Sequence, residues 1–186
     1  TYGDWSSDVC SSDLGGIEEA INNHEAVLPY PETDRSLRGN TRKNQLDVAY
    51  AEEALRKMGP EATGPNMPET MVEGLVRNVL DRHGLADMHV QVQVDDVIFD
   101  KTDSHDSVGF TARGMTENLP DGDPWKDVDI PILAVRTDHA NPMIVLHEMA
   151  HVLEGSWRTP GIDDGHSDEW LSTYHQLLGE YDLDTA

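Results

Sequence analysis

The sequence predicts an α+β fold, a small, mainly antiparallel sheet with helices packed against it, and three observations carry that prediction. Two early stretches, 44–59 and 68–84, place apolar residues at helical spacing. The middle of the chain, 89–135, offers short alternating or continuous apolar runs broken by Asp, Gly and Pro turns. The last quarter returns to two capped helical patterns, the first of which carries His147, Glu148 and His151. At 186 residues the chain has room for one modest domain and a tail.

Residues 1–38 are rich in Ser, Asp, Gly and Asn, lack sustained periodicity and read as a flexible acidic tail, with the domain expected over 39–186. Within that tail, SSDVCSSDL at 6–14 resembles a translated sequencing-adaptor fragment, which marks 1–14 as a candidate artefact and leaves the true start open. NQLDVAYAEEALRKMG, 44–59, predicts a helix whose inward face is Leu46, Ala49, Tyr50, Ala54, Leu55 and Met58, stopped by Gly59-Pro60. PETMVEGLVRNVLDRHG, 68–84, predicts a second, with Met71, Leu75, Val79 and Leu80 on one face and Gly84 as cap. In HVQVQVD, 89–95, Val90, Val92 and Val94 alternate with polar neighbours, the period of a half-buried strand. VIFD at 97–100, VGFTARG at 108–114 and VDIPILAV at 128–135 read as further strands, the last as the sheet edge. Asn141 is placed to cap a helix with Pro142 in its first turn and Gly155 at its end. Ser167 is placed to cap the final helix, where Asp168 and Glu169 suit the positive end and Trp170, Tyr174, Leu177, Leu178 and Tyr181 form one stripe.

Composition narrows the function. Lys and Arg number 13 against 36 Asp and Glu, a net charge of −23, and no basic cluster occurs. A groove that follows phosphates would form against the protein's own field, so nucleic acid is not expected as a partner. No run reaches the eighteen or so apolar residues of a membrane helix, so the expectation is a cytoplasmic protein without a membrane partner. The single cysteine, Cys10, excludes internal disulfides and Cys-based zinc sites, which leaves His, Asp and Glu as metal ligands. The Asp-rich runs at 100–106 and 121–124 lack EF-hand spacing and read as solvated turns.

The chemistry concentrates in 145–170. His147 and His151, four apart, project from one helix face and suit two ligands of one zinc ion, with Val145, Leu146, Met149, Val152 and Leu153 on the opposite face. Glu148 is the candidate general base for a water at that metal. An HExxH match arises by chance in about 3 of 100 sequences of this composition, so the helix around it matters as much as the motif. The extended form with a third His at 157 is excluded, because Glu154 and Trp157 stand there. A catalytic zinc needs a third protein ligand. His166, across a loop with Gly155, Pro160, Gly161 and Gly165, is the leading candidate, Glu169 its main rival, and Asp163, Asp164 and Asp168 weaker ones. Glu154, on the histidine face, either orients a ligand imidazole or stands in solvent. Arg158, Tyr174 and His175 are candidates for stabilising an oxyanion, with Tyr174 read as core. His24, His83, His89, His105 and His139 have no motif context.

HEMAH followed by GHSDEW resembles the HExxH…HGxxF pattern of a zinc metallohydrolase family of actinobacteria and their phages, itself similar to the SprT-like proteases. NQLDVAYAEEAL resembles that family's opening helix, VGFTARG its small-residue strand and DIPILAVRT the strand before its metal helix, a coverage of roughly 41–181. Ser167 stands where the pattern has Gly, Trp170 where it has Phe, and Leu46 where Arg is usual. The resemblance implies a zincin-like domain with His147, His151 and His166 as zinc ligands and Glu148 as catalytic acid/base. The expectation is a zinc metallopeptidase acting on peptides or proteins, with a non-peptide amide hydrolase or a non-enzymatic domain holding structural zinc as alternatives. The charge of the chain either suits basic or unstructured substrates or only reflects solubility in salt; the oligomeric state is left open.

Overall fold

The computed structural model describes residues 41–101, 108–114, 119–124, 126–158 and 166–183. The expected tail, Cys10, most of the 100–106 run and the glycine-rich loop at 159–165 lie outside them. In chain order the elements are α1 (Thr41–Met58), α2 (Pro60–Thr63), α3 (Glu69–Arg82), β1 (Gln91–Val94), α4 (Val97–Lys101), β2 (Gly109–Arg113), β3 (Pro131–Val135), α5 (Pro142–Glu154) and α6 (Asp168–Glu180). The fold is α+β, as the sequence predicts.

The sheet departs from expectation in two ways. Its order is β1-β3-β2, with β1 parallel and β2 antiparallel to β3, so it is mixed rather than mainly antiparallel. β3 is the central strand, not the edge. The physical reason lies in its sequence: Leu133, Ala134 and Val135 are all buried, and a continuous apolar run belongs where both sheet faces are covered. Pro131, which has no N–H to give, sits at the strand's first position. The third difference is VIFD, which forms α4. The Asp95 side chain accepts a hydrogen bond from the Val97 N–H at 2.7 Å, and this local turn starts a helix that outweighs the β preference of Val97 and Ile98.

The two sheet faces have separate cores. Leu133 and Val135 join the main cluster with residues of α3, α5 and α6, including Val72, Leu80, Leu146, Met149, Trp170 and Leu177. Ala134 packs on the other face with Phe99 and Phe110, whose rings meet edge-on at 5.2 Å. The register pairs Gly109 with Val135 and Thr111 with Leu133, so both β2 residues point with those side chains toward α5.

Two helix faces are rotated from expectation. On α3 the buried residues are Val72, Val76, Val79 and Leu80, with Met71 exposed; Gly84, at φ +72°, follows the helix, and Leu85 N–H bonds Leu80 C=O at 2.8 Å in a Schellman closure. On α1 the inward stripe is Asn44, Val48, Ala49, Glu52 and Leu55, while Tyr50 and Met58 face outward. Helix α5 has the expected ends: Asn141 Oδ1 accepts from Ile144 N–H at 3.1 Å and Gly155 takes φ +90°. It is buried on every side from Met143 to Val152, histidine face included. Among the described residues no helix is long and apolar enough to cross a membrane.

Candidate metal centre

Helix periodicity puts the His147 and His151 rings one turn apart, with centroids 5.5 Å from each other. His166 comes from a separate segment, held at the start of α6, where Ser167 Oγ accepts from Trp170 N–H at 3.1 Å. The three histidines are buried, and one ligand atom from each lies within 4.8 Å of the others. Trp170 packs against all three rings, at 4.8 Å from His147, 5.0 Å from His151 and 4.4 Å from His166. This group could hold a metal ion.

The residues fit that use on two counts. His147 Nε2 and His166 Nε2 are 3.3 Å apart. Two imidazole nitrogens each roughly 2.0–2.1 Å from a tetrahedral ion would be separated by about 3.3–3.4 Å. The protonation of two of the rings also suits ligation, which needs them neutral. Burial holds His151 and His166 well below the usual histidine range, and the charge of neighbouring histidines pushes the same way. His147 differs: burial acts downward, but the Glu52 charge and hydrogen bond, helped by Glu148, raise it overall. Glu52 Oε1 lies 2.7 Å from His147 Nδ1. A carboxylate only accepts, so in the neutral ring Nδ1 carries the hydrogen and Nε2 presents its lone pair.

Glu148 is fully buried beside this group. Thr111 Oγ1 donates to its Oε2 at 2.8 Å and lies 3.1 Å from its backbone oxygen; Oε1 has no hydrogen-bond partner among the described residues. Burial raises its pKa to about 7, against the lowering effect of His147 and of the Thr111 bond, with the Glu52 charge adding to the rise. Its space depends on Gly109: a Cβ there would sit 2.7 Å from Oε1 and 3.2 Å from Cγ.

Of the other candidates, Glu154 is half-buried, His175 is exposed on α6, and the exposed Arg158 lies with its guanidinium over the Trp157 ring at 4.8 Å. None belongs to the histidine cluster. Tyr174 is buried, as read, and donates to Glu52 Oε1 at 2.7 Å. Glu169 is exposed; Asp168 accepts from Asn44 Nδ2 at 2.8 Å; Asp163 and Asp164 lie outside the described residues. His83 pairs with Glu180 and His139 with Asp138, and neither belongs to the histidine cluster.

Sequence reading missed Asn44, Glu52, Gly109 and Thr111. One signal existed: Asn44, Val48, Glu52 and Leu55 keep helical spacing, so a stripe containing two polar residues competed with the apolar one. Comparison with known protein families, curated proteins and solved structures yields no match to this chain.

Proposed function

We propose that this chain is a zinc-dependent hydrolase, a metallopeptidase of zincin-like architecture, with His147, His151 and His166 holding the metal and Glu148 as general base. The observation that supports this best is the convergence of three buried imidazoles with a buried carboxylate one residue from the first of them. His147, His151 and His166 would hold the zinc, which when bound would supply Lewis acidity toward a carbonyl and toward the attacking water near neutral pH. Glu148 accepts the attacking water's proton at a carboxylate oxygen and returns it to the leaving nitrogen; a pKa near the working pH suits both steps. Thr111 holds the other oxygen, which leaves Oε1 for that exchange. Since β3 is paired on both sides, β2 replaces it as the strand offered to an extended peptide, next to Glu148.

The complete burial of Glu148 favours a second reading, a zinc that only stabilises the fold. Metal content and hydrolysis of a panel of unstructured peptides and simple amides, measured on wild type and Glu148→Gln, separate the two. The hydrolase reading expects one zinc per chain in both proteins and turnover in the wild type alone. Equal zinc with no turnover in either would leave the structural reading, and a folded wild type that takes up no zinc would overturn both. Amide turnover without peptide turnover would move the assignment to a non-peptide substrate.

A further inference from the structure

We infer that one face of α1 positions two of the three histidines, with Glu52 and Asn44 as the positioning residues; this rests on the metal reading above. The inward stripe of a packed helix is ordinarily apolar, and a buried carboxylate or amide is costly unless its atoms are partnered. Here both polar residues are spent on the histidine cluster through Asn44 Nδ2 and Glu52 Oε1, while Glu52 Oε2 has no hydrogen-bond partner among the described residues. Glu52 Oε1 accepts from His147 Nδ1 and from Tyr174 OH, each at 2.7 Å, which fixes the ring's tautomer and orientation so that Nε2 faces His166. Eight residues earlier on the same helix, Asn44 Nδ2 donates to the His166 carbonyl at 3.0 Å and to Asp168 Oδ1 at 2.8 Å. Both amide hydrogens are thereby used to tie the His166 backbone to the first turn of α6. His147 and His166 lie on different elements, and α1 bonds to both of their segments, so it sets their relative placement as well as each one singly.

The test is zinc affinity of the full chain by competition with a chelator, for wild type, Glu52→Gln, Glu52→Leu and Asn44→Ala, each checked for folding by circular dichroism. Loss of a group that orients a ligand weakens metal binding by roughly 10- to 100-fold. Glu52→Gln, which keeps the shape and one acceptor, is expected near the lower end, Glu52→Leu near the upper, and Asn44→Ala near tenfold. A second readout, which a merely space-filling role would not move, is the His147 tautomer in metal-free protein at pH 8.5, seen in long-range proton–nitrogen NMR correlations. The hydrogen is expected on Nδ1 in the wild type and no longer confined there in Glu52→Leu. If Glu52→Leu fails to fold, Glu52→Gln and Asn44→Ala decide the matter by affinity. A wild type that binds one zinc, with those two variants within twofold of it, overturns the assignment alone. A wild type that takes up no zinc overturns the metal reading and the assignment with it.

Discussion

Replacing Glu148 with Gln should make the metal-free protein more stable at alkaline pH while it removes the proposed general base. The carboxyl is fully buried, and its pKa rises from the ordinary 4.5 to about 7, chiefly because burial disfavours the charged form. Between those two values the native chain keeps a proton that the unfolded chain has released. The native state binds more protons there, so Glu148's contribution to stability is fully present below pH 4.5, declines as pH rises, and is lost above about 7. At roughly 1.4 kcal/mol per pH unit, the loss is about 3 kcal/mol. Gln does not ionise, and its side-chain oxygen can still accept from Thr111. The variant-minus-wild-type difference should therefore be small near pH 4.5 and approach about 3 kcal/mol by pH 8, a rise in Tm of roughly 6–12 °C for a domain of this size. Urea unfolding of chelator-treated protein at both pH values measures it, with unchanged m-values as the check that the same transition is compared. Saturating zinc should shrink the difference, because a nearby cation favours the carboxylate. A pH-independent difference, or a variant less stable at pH 8, would refute the reasoning that a buried charge is held here at a cost.

Three further outcomes are expected. Gly109→Ala places a Cβ 2.7 Å from Glu148 Oε1 and 3.3 Å from the Ala134 backbone oxygen, so the glutamate must shift; overpacking should cost about 1–3 kcal/mol in denaturant unfolding, and peptide turnover should fall about 100-fold. Thr111→Val removes a hydrogen bond that lowers the Glu148 pKa, so the acid limb of the rate profile should move to higher pH; an unmoved limb would show that the bond leaves the base unaffected. Asn141→Ala deletes the cap of α5 and should lower stability by about 1 kcal/mol in thermal or urea unfolding, without changing the zinc stoichiometry.

Where local chemistry decides, the chain could be read directly. Asn141, Pro142 and Gly155 bound α5, and Ser167 starts α6, because caps act on backbone groups within a few residues. The α6 stripe of Trp170, Tyr174, Leu177 and Leu178 is buried as its spacing predicts. Helix α1 was misread for a physical reason: patterning sends apolar residues inward, whereas this helix turns Asn44 and Glu52 to the histidines and leaves Tyr50 and Met58 in solvent. At 97–100, β-branched residues suggested a strand, but Asp95 supplied a turn that propensity alone does not weigh.

By itself, then, the sequence determined the α+β class, both ends of α5, the start of α6, and the pairing of His147 with His151, because each depends on spacing within one element. Tertiary structure alone decided that β3 lies in the middle of a mixed sheet, that His166 rather than Glu169 meets the other two histidines, and that Asn44, Glu52, Gly109 and Thr111 surround them. Those contacts join residues about 20 to 120 positions apart. Their geometry follows from how helices and strands bury their faces together, which no local period in the chain encodes.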